Sequence, residues 1–269
     1  MIYLPIINPN IITIAGVLQI KWYGFMYVLG FYIAWLLGRS RIAAIPLSDS
    51  EFLDYLTWFA FGILIGGRLG YVVFYDFTKF WQNPLEVFAL WRGGMAFHGA
   101  LLGGFIALHN FAYVHKRSTL RLIDFTVPLL PPGLFLGRLG NFINGELWGR
   151  PTTVPWAMIF PYSDGLPRHP SQLYEMLGEG LLLHYILSLY RRRSQKANGL
   201  MGAWFLLHYG WIRFIIEFFR EPDKQLGFVV ASLSMGQCLC LGMILSASIW
   251  FAYSVVAKLA PAQQNYSSS

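Results

Sequence analysis

Seven stretches of this chain are each apolar enough, over about 20 residues, to cross a lipid bilayer. No other feature restricts the fold as strongly, because backbone inside hydrocarbon must satisfy its own hydrogen bonds, and a helix does so within one segment. The stretches run approximately from Val17 to Leu37, Phe52 to Tyr75, Gly94 to Val114, Leu122 to Ile143, Gln172 to Tyr190, Leu200 to Phe218 and Ser234 to Val256. Composition agrees: of 269 residues, 56% are hydrophobic and only 12% charged, unlike a soluble domain. The expected fold is an all-α membrane protein of about seven transmembrane helices. Residues 1–260 form one polytopic membrane domain and 261–269 a polar tail that frays. The first ten residues carry no basic region, and no small-residue cleavage site follows the first apolar run, so that run is expected to remain as a membrane helix.

The net charge of +7 is explained by topology rather than by nucleic acid, since no basic face occurs in a soluble segment. Arg39 and Arg41, then Lys116, Arg117 and Arg121, then Arg191, Arg192, Arg193 and Lys196, and finally Lys258 follow alternate apolar stretches, placing ten of the twenty basic residues on one side. Connections rich in Lys and Arg stay in the cytoplasm, which puts the amino terminus outside and the carboxyl terminus inside. The other long connections, about 76–93 and 144–171, are less basic. They hold Trp81, Trp91, Trp148, Trp156 and, in the second, five prolines, which suits a small extracytoplasmic head at the interface. Gly62, Gly66 and Gly70 recur every fourth residue, as do Gly99 and Gly103, and such spacing lets helices pack closely. Cys238 and Cys240, two apart, point in different directions on a helix and cannot ligate one metal.

Against this apolar background the segment Gly137 to Gly149, G-R-L-G-N-F-I-N-G-E-L-W-G, stands out. An arginine at mid-bilayer costs at least roughly 2.5–3.5 kcal/mol, so an intramembrane cation is a functional-site hypothesis. Arg138 and Asn141 share a helix face, while Gly137, Gly140, Gly145 and Gly149 allow backbone or ligand to come close. Tyr209, Arg213, Glu217 and Arg220 form a stripe on the sixth segment, and Gln172, Glu175 and Glu179 a stripe on the fifth. The earlier segments add Tyr23, Arg68 with Tyr71, and His98 between Phe97 and Gly99. For any single pair, an interhelical ion pair that holds the bundle together explains the residues equally well. For the set it explains less, because buried pairs roughly break even against apolar packing. Planar guanidinium groups recognise phosphate bidentately, and in a membrane the phosphate at hand is that of a phospholipid. The residues alone therefore point to an enzyme or carrier handling an anionic lipid head group at the outer leaflet.

Five motifs taken together resemble the bacterial prolipoprotein diacylglyceryl transferase family: W-Y-G at Trp22 to Gly24, F-H-G at Phe97 to Gly99, the glycine-arginine-asparagine segment, H-P-S-Q-L-Y-E at His169 to Glu175, and Y-G-x-x-R-x-x-x-E-F-F-R at Tyr209 to Arg220. The resemblance extends from the first helix to Asp223. It implies a seven-helix inner-membrane enzyme that moves the diacylglyceryl group of phosphatidylglycerol to the lipobox cysteine of a preprolipoprotein, forming a thioether and releasing glycerol phosphate. Its partners would be phosphatidylglycerol, the preprolipoprotein lipobox segment and the lipid bilayer. It implies no metal or organic cofactor, and the sequence has no metal-ligand cluster or nucleotide-binding loop. On this resemblance Arg138 and Arg213 hold the phosphate, Asn141 and Asn144 orient the head group, Glu146 and Glu217 orient the arginines, and Tyr23 and Tyr209 line the pocket. Arg68 and Gly149 join the binding set, with the division of roles among Arg68, Arg138 and Arg213 left open. His98 has two readings of equal weight, a general base or a hydrogen bond to a neighbouring helix. His109, His115 and His184 match no motif and read as packing or interface residues.

Two rival classes remain. A lipid or solute transporter would have a cavity of similar composition, but no internal repeat is visible. An intramembrane protease is disfavoured by the absence of H-E-x-x-H and of a glycine-flanked serine paired with histidine. The mass change of a lipobox peptide separates the three classes.

Overall fold

The computed structural model describes residues 2–14, 18–45, 47–75, 77–88, 94–193, 199–222, 227–230 and 233–259. Val17, Trp91, Lys196, Asp223 and the tail 261–269 lie outside the described residues. In chain order the chain forms β1 (Ile2–Tyr3), β2 (Asn10–Ile14), β3 (Leu18–Lys21), α1 (Trp22–Arg39), α2 (Asp49–Tyr75), α3 (Phe77–Gln82), α4 (Phe97–Val114) and α5 (Thr119–Thr126). There follow α6 (Leu130–Ile143), β4 (Met158–Ile159), α7 (Ser171–Glu175), α8 (Leu183–Arg193), α9 (Leu200–Ile216), β5 (Phe228–Val230), β6 (Leu233–Ser234) and α10 (Met235–Leu259). Three stretches of described helix are long and apolar enough to cross a membrane, Asp49–Phe74, Thr119–Ile143 and Met235–Ser254, and Leu200–Ile216 is a shorter apolar helix. The protein is thus mostly helical with a membrane character.

Two expected helices differ from the sequence reading. The first apolar stretch begins as strand, because β2 and β3 pair antiparallel, with Ile12 opposite Ile20 and Thr13 opposite Gln19. The β-branched run Ile11 to Ile14 favours strand, and the helix starts only at Trp22, whose N–H donates to the Pro9 carbonyl at 3.1 Å. The fourth stretch is interrupted: α5 passes through a 3₁₀ turn at Val127–Leu129 into α6, which starts with prolines in its first turn. Pro128, lacking an N–H donor, accounts for the break.

The chain divides into two compact units, one of Met1–Ala34 with Val127–Ser269 and one of Trp35–Thr126. In the second unit α2 and α4 meet at their glycines. A Cβ at Gly66 would lie 2.7 Å from the Gly103 Cα, and one at Gly70 2.7 Å from the Gly99 Cα, so the backbones touch where any side chain would collide. Below that seam Phe52, Tyr55, Phe111 and Phe125 form an aromatic cluster with ring centroids 5.5–6.4 Å apart. The buried Tyr55 hydroxyl is hydrogen-bonded to Thr126.

In the first unit α7 continues without a break through a π-helical segment, Met176–Leu182, into α8. Gly178 and Gly180 let that segment approach its neighbours: Cβ atoms there would lie 2.7 Å from Ile212 and 2.6 Å from Phe135. Small residues thus draw the π segment against both α6 and α9. The stretch 144–171 is folded rather than loose. β1 pairs in parallel with β4, Met158 and Pro151 bridge to Arg168, and the Trp148 ring stacks on Phe160 at 6.0 Å.

Candidate active site

The site in the first unit begins at the end of α6. Gly145, at φ +64°, ends the helix in a Schellman turn, with its N–H donating to Phe142 at 3.0 Å and the Glu146 N–H reaching back to Asn141 at 3.1 Å. Glycine adopts this left-handed conformation without cost. The turn brings the Glu146 carboxylate beneath the asparagines: Asn141 Nδ2 donates to its Oε1 at 2.9 Å and Asn144 Nδ2 at 3.3 Å. Two hydrogen bonds from the start of α7 hold the turn in place, Gln172 Nε2 to the Glu146 carbonyl at 2.7 Å and Ser171 Oγ to the Leu147 carbonyl at 3.0 Å.

One turn before Asn141, Arg138 points to the π segment. Its NH1 lies 3.2 Å from Glu175 Oε2, and its Nε and NH2 each donate to Glu179 Oε2 at 3.3 Å. From α9, Arg213 NH1 donates to Glu175 and, at 3.3 Å, to Glu179, while its NH2 pairs with Glu217 at 2.8 Å. Arg220 NH1 also reaches Glu175 at 3.2 Å. Three arginines and three glutamates therefore form one connected cluster whose charges cancel. Glu217 is held in turn by Ser234 Oγ at 2.9 Å.

The cluster has a closed and an open side. The Glu175 and Glu179 side chains are 0% exposed, whereas Arg138 and Arg213 keep 17% and 11% exposure. A guanidinium has five N–H donors. Arg138 donates hydrogen bonds from Nε and NH2 and Arg213 from NH1, while Arg138 NH1–Glu175 and Arg213 NH2–Glu217 are ion pairs, so N–H groups remain on Arg138 NH1 and on Arg213 Nε and NH2. These free edges can receive an anion while the buried carboxylates fix the planes behind them. Beside Arg138, a Cβ at Gly137 would meet nothing within 4 Å, so the helix surface there is open.

The two tyrosines sit on neighbouring surfaces. Tyr23 on α1 packs over Gly140, where a Cβ would lie 3.3 Å from its ring, and its hydroxyl is 3.0 Å from that of Tyr27. Tyr209 is buried one turn before Arg213, within electrostatic reach of Arg138, Arg213 and Glu179. Gly149 marks a close approach of backbone, one of the two expectations for it. A Cβ there would lie 2.7 Å from the His169 Cβ, its N–H donates to the His169 carbonyl at 2.9 Å, and it bridges to Arg220. The space beside it is filled by protein, and it serves as a chain crossing behind the arginine cluster.

Arg68 and His98 belong to the second unit. Arg68 donates from Nε to the Val87 carbonyl at 2.9 Å and from NH1 to the Gly94 carbonyl at 3.2 Å, pinning the connection between α3 and α4. His98 stands in the first turn of α4, its ring 5.4 Å from Phe97 in an edge-on arrangement. His109 contacts Thr119 at 3.1 Å and His115 stacks on Phe111 at 4.1 Å, both packing roles.

Among the described residues Glu146 hydrogen-bonds Asn141 and Asn144, while the ion pairs to Arg138 and Arg213 come from Glu175, Glu179 and Glu217. Glu175 and Glu179 were visible as a stripe with no role attached. The signal was the match between the carboxylate stripe of the fifth segment and the cationic stripe of the sixth. Among the described residues no group of three His, Cys, Asp or Glu could hold a metal ion.

Outside the membrane segments, the folded connection is tied by Arg168. Its guanidinium binds Asp164 at 2.7 Å, Glu221 at 3.0 Å and the Gly149 carbonyl at 3.0 Å. The hydrogen bond from Arg168 pulls the Asp164 carboxyl down to about 2 and raises the pKa of Arg168 itself. Burial lowers the pKa of His169, whose Nδ1 lies 3.0 Å from the Tyr174 hydroxyl.

The family model described as prolipoprotein diacylglyceryl transferase matches residues 9–253. A phosphatidylglycerol–prolipoprotein diacylglyceryl transferase of Oleidesulfovibrio alaskensis is 48% identical over 258 residues, covering 95% of this chain and 96% of the relative. One of Bordetella bronchiseptica is 48% identical over 92% of this chain and 95% of its own length, and one of Pseudomonas putida is 46% identical over 97% and 100%. The chain therefore belongs to the prolipoprotein diacylglyceryl transferase family.

Proposed function

We propose that this chain transfers the diacylglyceryl group of phosphatidylglycerol to the thiol of a preprolipoprotein lipobox cysteine, the first step of lipoprotein maturation. The observation that carries the reading is the open edge of the Arg138–Arg213 cluster beside Asn141 and Asn144, at the family's own motif. In the reaction the cysteine thiolate attacks the glyceryl carbon next to the phosphate, an S–C bond forms, and the C–O bond breaks with its electron pair passing to the phosphate. The diester monoanion thereby becomes a monoester that gains negative charge as it leaves. Free N–H groups of Arg138 and Arg213 stabilise that developing charge, each worth on the order of 10² to 10³ in rate. Glu175, Glu179 and Glu217 keep the guanidinium planes fixed, so little reorganisation is needed when charge develops. Tyr23 and Tyr209 line the head-group site, and Arg68 and Gly149 support the binding set. His98, in the F-H-G motif, keeps two readings of equal weight here, taking the thiol proton or hydrogen-bonding a neighbouring helix.

The spans number seven in this proposal, within one polytopic inner-membrane domain of residues 1–260, with the amino terminus and a head from about 76–93 and 144–171 outside and the carboxyl terminus in the cytoplasm. The alternation of basic connections supports it. The test is transfer of labelled diacylglyceryl from phosphatidylglycerol to a lipobox peptide by purified wild type beside Arg138→Lys. Lysine keeps the charge and loses the planar fork. Wild-type transfer with loss in the folded lysine variant supports bidentate phosphate binding, and absence of wild-type transfer refutes the reading.

A further inference from the structure

A cavity of about 230 Å³ lies in the second unit where α4 ends and α5 begins, lined by Leu47, Lys116, Arg117, Ser118, Arg121 and Leu122. Three of its six lining residues are cations, and only one of them is matched. Arg117 NH2 binds Glu51 at 2.8 Å, while neither Lys116 nor Arg121 has a carboxylate partner among the described residues. The Arg117 Nε is buried and has no hydrogen-bond acceptor. A buried donor left without an acceptor points to a missing one. The first turn of α5, which carries no acidic residue, adds its own backbone N–H groups at the same place.

The turn that builds the cavity is itself informative. α4 ends in a Schellman turn, with the Lys116 N–H donating to Tyr113 at 3.2 Å and the Arg117 N–H to Ala112 at 2.7 Å. α6 ends in the same way, but with Gly145 at the left-handed position where α4 has Lys116 at φ +51°. A left-handed residue that carries a Cβ is disfavoured by roughly 1–2 kcal/mol. The lysine is held in a conformation that glycine would adopt freely, and its side chain borders the cavity.

We propose that this cavity binds the phosphate of an anionic phospholipid head group. Its volume corresponds to roughly seven water molecules, room for a head group and too little for a whole lipid. Leu47 and Leu122 supply an apolar wall beside the cations. The site shares no residue with those proposed for transfer, and its membrane setting rests on the topology proposed above, in which the basic connection between α4 and α5 lies at the cytoplasmic surface. Basic pockets between helices at that surface recognise anionic lipids.

The test measures retention of phosphatidic acid and of phosphatidylcholine by the full-length protein with native mass spectrometry, for wild type, Lys116→Gly, and Lys116→Gly with Arg121→Gln. Phosphatidic acid binding is expected to weaken about fivefold for each cation removed and about thirtyfold for both, with phosphatidylcholine unaffected. Because glycine suits the left-handed position, the melting temperature of Lys116→Gly is expected to hold or rise, which separates lost binding from lost folding. Diacylglyceryl transfer from phosphatidylglycerol is expected to continue in both variants. Equal phosphatidic acid retention by all three proteins overturns the proposal. A further arm adds millimolar inorganic phosphate: displacement of the lipid assigns the cavity to free phosphate and overturns the lipid assignment, whereas persistence supports a head group anchored in the bilayer.

Discussion

Glu175→Gln probes the arginine cluster at its most connected point. The Glu175 carboxylate is fully buried and touches Arg138 at 3.2 Å, Arg220 at 3.2 Å and Arg213. Glutamine keeps the shape and one acceptor oxygen, but it turns an amide donor towards guanidinium donors and shifts the cluster from neutral to a net charge of one. At an effective dielectric near 20, an ion pair about 4 Å apart is worth about 4 kcal/mol. Three such contacts overstate the loss, because the buried carboxylate no longer has to be desolvated at a cost of several kcal/mol. The net expectation is the range for breaking one buried pair, about 3–5 kcal/mol. For a chain of this size that corresponds to a melting temperature lower by about 6–20 °C, read by thermal unfolding of the full-length protein in detergent. Arg220→Gln added to Glu175→Gln removes one cation and restores neutrality, so the pair is expected to be less destabilising than the sum of the single changes by about 1 kcal/mol or more. A single variant within 1 kcal/mol of wild type, or strictly additive effects, would refute the description of the six groups as one charge-matched unit.

Three further outcomes follow from the same geometry. Gly66→Ala places a Cβ 2.7 Å from the Gly103 Cα and is expected to destabilise by about 1–3 kcal/mol, measured by thermal unfolding, with no comparable loss for Gly242→Ala, where a Cβ meets nothing within 4 Å. Gly145→Ala strains a φ of +64° by roughly 1–2 kcal/mol and moves Glu146 away from Asn141, so diacylglyceryl transfer should fall by more than the fold loses stability. Asp164 is held low by Arg168, so the pair stabilises the fold above the ordinary aspartate range and stops doing so as pH falls towards about 2. The melting temperatures of wild type and Asp164→Asn are therefore expected to differ at neutral pH and converge as the pH falls to about 2 and below, and a gap that persists there would contradict the pairing.

The helical framework was legible because apolar length is a local property of the sequence. α2, α4, α9 and α10 start and end within a few residues of the expected stretches. The strand Leu18–Lys21 was not legible, since its four residues are too few to set a period and they run directly into the apolar helix that follows. At the site, Arg138, Asn141 and Arg213 could be picked out because charge inside an apolar run is conspicuous in one dimension. Which carboxylate meets which arginine could not, because Glu175 and Glu179 reach Arg138 across 37 and 41 residues through a π-helical register that no periodicity announces. Gly149 was legible as a place where backbone or ligand comes close, and the backbone of His169 and Phe219 is what comes close there.

The cancellation of three arginines by three glutamates also bears on turnover. A pocket of unmatched cations would grip a doubly charged phosphate monoester more tightly than the singly charged diester from which it came, and each cycle would end in a trapped product. In the proposed reaction Arg138 and Arg213, which would meet the phosphate, are each already paired with a buried carboxylate, so extra charge on the departing group would meet repulsion from behind as well as attraction in front. On that proposal, the same arrangement that fixes the donors would also limit how long the leaving group can stay.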